Sequence, residues 1–270
     1  MKYLGSSLIG FLLFSSCLSD EERRLQTDQS FEGEEMFNIS FSLEEHVFYA
    51  FKPFDFYKDS TNYTTISGCP LVTFNEERKE VNLIFGEGDC ITNQPERKGK
   101  LILTYIDSLF NQEKLVRIGY EEYSARGIQL EGHRFINQID SSFAHGTFRD
   151  ELINFIIRDD NNSTSKVNAV FNREVIFSTD SIQNITTTGS SSGRNLAGRS
   201  FGMEITQPKH LDGACIRNGS FVPKAGQEIW TFERTVEPDV VHIIHYEEDP
   251  DCNNSATIQL DDGREMVLTQ

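Results

Sequence analysis

The fold of this chain is indicated most clearly by residues 69–90, Cys-Pro-Leu-Val-Thr-Phe-Asn-Glu-Glu-Arg-Lys-Glu-Val-Asn-Leu-Ile-Phe-Gly-Glu-Gly-Asp-Cys. Two β-prone runs, residues 71–75 and 81–85, flank the charged stretch Glu-Glu-Arg-Lys-Glu. Runs of this length on either side of a short polar stretch predict a β-hairpin. Cys69 and Cys90 fall almost opposite each other just past its open end, where a disulfide would close the hairpin.

A second hairpin is predicted near the carboxyl terminus, from residues 227–234 into residues 240–246. Cys215 and Cys252 flank its open end in the same way. Each hairpin is followed, after its second cysteine, by a polar loop and one more alternating strand. The two regions resemble a weak internal duplication, although a unit that is seen twice does not indicate a solenoid or a propeller.

The rest of the chain also favours β-structure. Strand-like runs are separated by clusters of Gly, Asn, Asp or Ser, and they comprise residues 100–105, 125–131, 133–138, 143–148, 152–157, 166–177, 200–207 and 256–260. No long helical pattern fills the gaps between them, as parallel strands would require. The sequence therefore predicts an all-β fold, an antiparallel meander that forms a large curved sheet, sandwich or barrel.

One short N-terminal helix is predicted beside these strands, with a strand as the alternative. Residues 42–45 match a capping box, apolar residues follow at four-residue spacing as far as Phe51, and Pro53 supplies the stop. A second irregular feature is the Thr-, Ser- and Gly-rich stretch at residues 186–193. We interpret it as a mobile hairpin loop.

The amino terminus is typical of an exported lipoprotein. A short basic start precedes an apolar stretch at residues 3–14, which is too brief to span a bilayer. Residues 13–17, Leu-Phe-Ser-Ser-Cys, resemble a bacterial lipobox, in which Cys17 becomes the acylated first residue. The alternative is conventional cleavage slightly downstream, with Cys17 as an ordinary apolar residue of the signal.

Three regions follow from this interpretation: a lipoprotein signal peptide at residues 1–16, an acidic flexible tether at residues 17–35 and a single all-β domain at residues 36–270. The acidic run Asp-Glu-Glu at residues 20–22 resembles the signal that sends Bacteroidetes lipoproteins to the cell surface. We therefore expect a lipid anchor in the outer membrane, with the domain at the cell surface in preference to the periplasmic face.

The cysteine count agrees with lipidation. Five cysteines leave one thiol over in an oxidising compartment. If Cys17 carries lipid or departs with the signal, the other four can pair completely. Of the three connectivities, Cys69 with Cys90 and Cys215 with Cys252 is favoured, because each pair brackets a predicted hairpin.

Charge limits the partners of the chain. It has 42 acidic and 25 basic residues, a formal net charge of −17. This balance disfavours nucleic acid, since phosphate binding needs clustered cations. The acidic runs 87–89 and 247–251 offer oxygen ligands for calcium, but neither has EF-hand spacing, and solvated turns are the default interpretation. The expected partners are the membrane, through the lipid anchor, and an envelope protein or glycan.

No motif identifies a catalytic, cofactor-binding or metal-binding residue. Residues 189–193, Gly-Ser-Ser-Ser-Gly, match the letters of a nucleophile elbow, but both flanks are polar where that motif needs an apolar strand and a helix. His242 and His245 are three residues apart, so in a strand they point to opposite sides of the sheet. We expect one of these histidines to face inward and the other outward, with no metal between them.

The order of these features is similar to that of an uncharacterised family of all-β Bacteroidetes lipoproteins. The similarity rests on the lipobox, residues 69–90, the Arg-Lys-Gly-Lys run at 97–100, the segment 127–134, the pair Cys215 and Cys252, and the last strand after Asp262 and Gly263. In that family the acidic turn before the last cysteine usually carries glycine, where this chain has Pro250. The resemblance implies an all-β surface or periplasmic lipoprotein and supplies no catalytic residues.

A secreted eukaryotic glycoprotein is the competing origin. The chain has seven Asn-x-Ser/Thr triplets, which begin at Asn38, Asn62, Asn161, Asn162, Asn184, Asn218 and Asn253. Turns rich in Asn, Ser and Thr also produce such triplets without any glycan. The context of Cys17 favours the bacterial origin.

Three functional hypotheses remain at this point. The leading one is a lipid-anchored binding or structural module without catalysis. The second is a hydrolase of envelope carbohydrate, which requires a concave site with at least two converging acids or histidines of perturbed pKa. The third is a carrier of a hydrophobic ligand, which requires a large cavity lined by phenylalanine.

The two origins differ at the mature amino terminus, which mass spectrometry of the purified protein can measure. We expect a chain that begins at Cys17 and carries acyl chains on its thiol and amine. An unmodified amino terminus on a chain that bears N-linked glycans would contradict the lipoprotein and support the secreted glycoprotein.

Overall fold

The computed structural model describes residues 29–86, 96–107, 114–142, 144–178, 181–234 and 238–269. Over these residues the chain forms a 14-stranded antiparallel sheet with one long helix at its amino end. The predicted all-β meander is therefore confirmed, together with the presence of an N-terminal helix.

The elements have the following bounds. The helical segments are α1 (Gln29–Glu44), the 3₁₀ helices η1 (Val47–Phe51), η2 (Phe54–Lys58) and η3 (Ser60–Thr65), and the short α2 (Gly213–Arg217). The strands are β1 (Leu71–Asn75), β2 (Glu80–Phe85), β3 (Arg97–Asp107), β4 (Lys114–Ala125), β5 (Ile128–Glu131), β6 (His133–Ser141), β7 (His145–Arg158), β8 (Thr164–Ser178), β9 (Ser181–Arg194), β10 (Ser200–Asp212), β11 (Ala225–Phe232), β12 (Val240–Glu247), β13 (Ser255–Gln259) and β14 (Glu265–Thr269).

Strands that are consecutive in sequence are neighbours in the sheet, apart from one local detour. There β4 pairs with both β5 and β6, and β7 pairs with the same two strands. In such a meander successive connections lie alternately at the two ends of the sheet. We call the end with turns 159–163, 195–199 and 260–264 the entry end, and the end with connections 76–79, 213–224 and 248–254 the exit end.

Helix α1 lies inside the curve of the sheet, with its start at the entry end and its last turn directed towards the exit end. At its start, Gln29 accepts a hydrogen bond from the backbone N–H of Asp262, in the β13–β14 turn. Every residue from Ile39 to Phe51 is buried. Because strands as distant as β3 and β14 contact α1 or the turn that follows it, the sheet curves around this segment. The interior of the sheet is filled by the chain's own amino-terminal segment.

The start of the domain differs from the prediction. The tether was expected to reach residue 35, but α1 begins at Gln29, and both Glu32 and Glu35 are buried. The predicted helix from Ser42 is also displaced, because Ser42 lies in the last turn of α1 and Val47–Phe51 forms a 3₁₀ helix. Acidic side chains predict a solvated tether, but here Arg199 and Arg234 pair with Glu32, and Ser165 and the backbone N–H of Leu196 donate hydrogen bonds to Glu35. Residues 17–28 of the tether lie outside the described part of the chain.

The stretch at residues 186–193 is not a loop. It lies in the middle of β9, paired with β8 on one side and with β10 on the other. A Cβ atom on Gly193 would lie 1.9 Å from the carbonyl oxygen of Lys166, and one on Gly189 would lie 2.3 Å from that of Val170. These glycines allow close approach of backbones within the sheet, which explains why a strand carries a loop-like composition.

The other strand predictions are largely confirmed. Both hairpins form, as β1–β2 and β11–β12. The predicted strand 125–131 is divided by a turn at Arg126 and Gly127, both of which have positive φ. The predicted strands 143–148 and 152–157 are parts of one long strand, β7.

The predicted disulfide between Cys215 and Cys252 is present, with the two Cα atoms 5.3 Å apart. It connects α2 to the turn before β13, at the exit end. Cys69 is also disulfide-bonded. Its predicted partner Cys90 and the lipidation residue Cys17 lie outside the described residues.

Removal of the exit-end disulfide tests its contribution to stability. Cys215→Ala combined with Cys252→Ala frees a loop with a sequence separation of 37 residues. The chain-entropy model predicts a decrease of about 4 kcal/mol in the free energy of unfolding. Urea denaturation without reductant measures this decrease. An unchanged free energy of unfolding would show that this crosslink does not restrain the unfolded chain.

Candidate functional site

The interior of the sheet contains a group of paired charges around the end of α1. Glu44, the last residue of the helix, accepts a short hydrogen bond from Arg173 on β8. The Nζ atom of Lys209 on β10 lies 2.7 Å from an oxygen of Glu44 and 2.7 Å from an oxygen of Glu228 on β11. All four side chains are at most 1% exposed. The helix end is therefore held by ions from three strands.

A second part of the same network surrounds Asp150 on β7. Arg134 donates two hydrogen bonds to its carboxylate, at 2.7 and 2.5 Å, and Arg173 donates a third at 2.8 Å. Arg134 also donates to the backbone oxygen of Leu43 at 2.7 Å. Glu45, the residue after Glu44, is paired with Arg97 and accepts hydrogen bonds from Tyr123.

The pKa shifts in this network favour permanent charge. Burial by itself raises the pKa of Glu44, but the charges of Arg173 and Lys209 outweigh it and lower that pKa to about 2. Burial likewise opposes ionisation of Glu45, whose pKa is lowered to about 2 by Arg97. A general acid near neutral pH needs a raised pKa and access to substrate. These carboxylates have neither, so the arrangement is suited to holding α1 and not to proton transfer.

Glu35 on α1 is a buried carboxyl with the opposite shift. Desolvation raises its pKa, although Ser165 and the backbone N–H of Leu196 donate hydrogen bonds to one of its oxygens. Glu35 lines neither of the grooves described below. A substrate held in either groove would therefore not contact Glu35.

A half-open groove of about 820 Å³ lies at the exit end. Its walls are η1, η2 and the ends of β3, β4, β6, β7 and β8, and we call it the exit groove. The floor consists of side chains that belong to the hydrophobic core, namely Phe51, Val116, Ile136 and Phe148. A volume of this size and an apolar floor are typical of small-molecule sites.

The rim of the exit groove carries cations. Four lysines line it, Lys52, Lys58, Lys79 and Lys114, together with two acids, Asp55 and Glu76. The lining therefore has a formal charge of +2, in a chain whose net charge is −17. A local charge of opposite sign to the whole protein attracts anions specifically to this place.

Aromatic rings position the rim. The ammonium of Lys52 lies 4.7 Å from the ring centroid of Phe56, and that of Lys58 lies 5.7 Å from the ring of Phe54. Lys58 also pairs with Asp55 at 2.6 Å, and this hydrogen bond raises the pKa of Lys58. The hydroxyl of Tyr105 donates to the backbone oxygen of Lys52 at 2.8 Å, which fixes the start of η2 on the sheet.

A smaller groove of about 350 Å³ lies on the other side of η2. It shares Lys52, Phe56 and Asn62 with the exit groove. Asn62 donates a hydrogen bond to the backbone oxygen of Phe56 and so ties η3 to η2. The two concave surfaces are therefore separated by the 3₁₀ segment and both open at the exit end.

The paired histidines and the described acidic run that the sequence analysis considered as metal ligands lie away from these grooves, whereas Asn62, which begins an Asn-x-Ser/Thr triplet, lines both. His242 is buried and His245 is half-buried on the opposite side of β12, as predicted. His242 accepts a hydrogen bond from the backbone N–H of Asp261. Asp249 accepts backbone hydrogen bonds from Asp251 and from Asn253, so this acidic run forms a turn. The acidic run 87–89 lies outside the described residues.

The exit groove was not found from the sequence. A local signal exists at residues 51–58, Phe-Lys-Pro-Phe-Asp-Phe-Tyr-Lys, where aromatic and charged side chains alternate without helical or strand periodicity. The rest of the lining comes from distant strands, including Lys114 and Gln138. Their proximity depends on the sheet topology, which no local pattern specifies.

Comparison with known proteins adds no assignment. The chain matches no family model, no curated protein and no solved structure. In the described part of the chain, no helix is both long enough and apolar enough to cross a membrane. Function must therefore be argued from the geometry above.

The low pKa of Glu44 makes stability depend on pH in a defined window. The ordinary value is 4.5 and the folded value is about 2, so the unfolded chain binds more protons between these values. The stabilisation is fully present above pH 4.5 and is lost as the pH falls towards 2, by about 3 kcal/mol for this group. Urea denaturation at successive pH values measures the loss.

Glu44→Gln removes this titration and should reduce the dependence of stability on pH in that window. The variant will also be less stable at neutral pH, because Arg173 and Lys209 remain buried with a neutral partner. The matched control is Glu34→Gln, on the exposed side of the same helix, which should retain the wild-type dependence. An equal loss in Glu44→Gln and wild type would contradict the assignment.

Proposed function

We propose that this protein is a lipid-anchored module of the outer membrane, displayed at the cell surface, that binds its ligand in the exit groove without catalysis. The observation that carries this proposal is the half-open groove with an apolar floor and four lysines at its rim. Such a surface offers apolar contact and charge recognition together, as ligand sites generally do.

The hydrolase receives less support from the described residues. The acids at the exit groove are Asp55 and Glu76, and the pKa of Asp55 is lowered by its hydrogen bond with Lys58. A glycosidase needs one carboxylic acid whose pKa is raised, opposite a second carboxylate. The buried acids Glu44, Glu45 and Asp150 are paired with arginine or lysine, and Glu35, whose pKa is raised, lies away from the groove.

The carrier hypothesis in its sealed form also receives less support. A ligand enclosed by the curved sheet would occupy the space that α1 and its core side chains take, from Ile39 to Phe51. The exit groove is half-open, and its floor is the surface of that core. A ligand held there stays in contact with solvent, which suits recognition at a surface.

The path of α1 supports display away from the membrane. Twelve residue steps separate Cys17 from Gln29, so the anchor lies within about 40 Å of the entry end. Helix α1 has 16 residues and spans about 24 Å from there towards the exit end. The tether would thus join the domain at the end of α1 that is remote from the exit groove.

Labelling of intact cells tests this orientation. A membrane-impermeant amine reagent should modify Lys58 and Lys114, which are exposed at the groove, and peptide mass spectrometry measures the modified fraction. In a Cys17→Ser strain the protein should lose its membrane attachment. Modification of these lysines only after the outer membrane is permeabilised would place the domain at the periplasmic face and contradict surface display.

The hydrolase hypothesis is tested by a separate assay. Purified protein is incubated with envelope polysaccharide, and the reducing ends that hydrolysis would release are counted. The binding module predicts no release above a heat-denatured sample. Release that persists in a variant with a filled exit groove, Gln138→Trp, would assign the activity to another site.

A further inference from the structure

The chemistry of the exit groove defines the class of ligand more narrowly than the proposed function does. The lining includes buried apolar side chains, which form the floor, and exposed or half-buried charged side chains, which form the rim. The floor combines the aliphatic Val116 and Ile136 with the rings of Phe51 and Phe148, which lie 4.7 Å apart. Such a surface gains free energy by removing hydrocarbon from water.

The rim adds a second requirement. Its four lysines come from three parts of the chain, with Lys52 and Lys58 on the 3₁₀ segment, Lys79 in the β1–β2 turn and Lys114 at the start of β4. Their charges converge on one opening although the chain as a whole is strongly acidic. The positive lining therefore reduces, at this opening, the repulsion that the acidic chain exerts on anions.

We infer that the exit groove binds an amphipathic organic anion, with its hydrocarbon body on the floor and its carboxylate, phosphate or sulfate among the rim lysines. This inference rests on the proposed function and specifies its ligand. A purely neutral hydrocarbon would gain nothing from the net positive charge of the lining, and a purely polar anion would leave the apolar floor in contact with water. The lysine stems themselves extend the apolar contact while their ammonium groups meet the head group.

The same chemistry has two sources, a free anion in solution and an anionic lipid within a bilayer. The exit groove lies at the end of α1 opposite Gln29, and the lipid anchor is expected at the Gln29 end. The free anion is therefore the expected source. Phospholipid vesicles provide the comparison.

The probe is dodecanoate, tested below its micelle concentration by isothermal titration calorimetry. The titrated protein is the Cys17→Ser chain, because it carries no acyl groups and needs no detergent that would compete for the groove. At pH 8 the carboxylate is ionised, since ordinary carboxyl pKa values are near 4. The neutral 1-dodecanol and the cationic dodecylamine have the same hydrocarbon body. We expect dodecanoate to bind at least about tenfold more tightly than either.

Two variants separate the head group from the body. Lys58→Glu with Lys114→Glu should weaken dodecanoate binding by about tenfold or more and leave dodecanol within about twofold. Gln138→Trp fills the exit groove and should abolish binding of both. Circular dichroism and thermal melts establish that each variant is folded before titration.

The matched control changes the same charge elsewhere. Lys98→Glu with Lys166→Glu reverses two exposed lysines that do not line the exit groove. It should retain the wild-type affinity for dodecanoate. An equal loss in the control would show that only the net charge of the protein matters and would overturn the inference.

Vesicles of phosphatidylglycerol and of phosphatidylcholine distinguish the sources. Binding of dodecanoate without binding to either vesicle supports a free anion. Binding to phosphatidylglycerol alone, lost in Gln138→Trp, supports the same head-group chemistry in a lipid. Failure of dodecanoate and of both vesicles to bind, or equal binding of dodecanoate and dodecanol, overturns the assigned ligand class.

The outcomes also separate this inference from the proposed function. The accessibility of Lys58 and Lys114 on intact cells does not depend on the ligand. If they are labelled and dodecanoate fails, display at the surface stands and the ligand class is wrong. If dodecanoate binds but the lysines are shielded in cells, the ligand class stands and the orientation is wrong.

Discussion

The pairing of Glu44 with Arg173 and Lys209 determines where α1 lies inside the sheet. An ion buried without its partner costs several kcal/mol. Displacing α1 by one turn would move the carboxylate about 5.4 Å along the axis, away from cations fixed on β8 and β10. Only one position of α1 along its axis therefore keeps the Glu44 carboxylate paired. The 3₁₀ helices that follow are fixed by the same position. The shape of the exit groove depends on that placement.

Apolar contacts alone would not select this depth so strongly. The buried run Ile39–Phe51 contains seven large apolar side chains, and hydrophobic burial is not directional. Buried ion pairs add little net stability compared with apolar side chains of similar size, but they penalise every wrong alignment. In this fold Asp150 is shared between two arginines, so the ions form one connected group across β6, β7 and β8. This charged group therefore selects the alignment of α1 in the sheet, and the apolar residues around it supply most of the stability.

The sequence predicted the sheet because its signals are local. In β8 the residues alternate between buried and exposed along the strand, and period-two alternation is visible in any single stretch. The bounds of α1 differ from the predicted ones because an enclosed helix has no apolar stripe to mark its length. Its acids look solvated until their partners are known, and Glu44 meets Arg173 across 129 positions of sequence. The exit groove could not be predicted for the same reason, since Lys58 and Gln138 are brought together only by the topology of the sheet.

A covalently attached helix inside the curved sheet also decides where a ligand can bind. The space that a sealed carrier would offer to cargo is already occupied, and concave apolar surface remains at the exit end, where the chain turns back into β1. The segment that fills the interior also contributes to the floor of the exit groove, because Phe51, the last residue of η1, lines that groove. A change that loosens the charged group around Glu44 would therefore alter the floor without touching any rim residue. The buried ions and the surface groove are mechanically coupled by the six residues between Glu44 and Phe51.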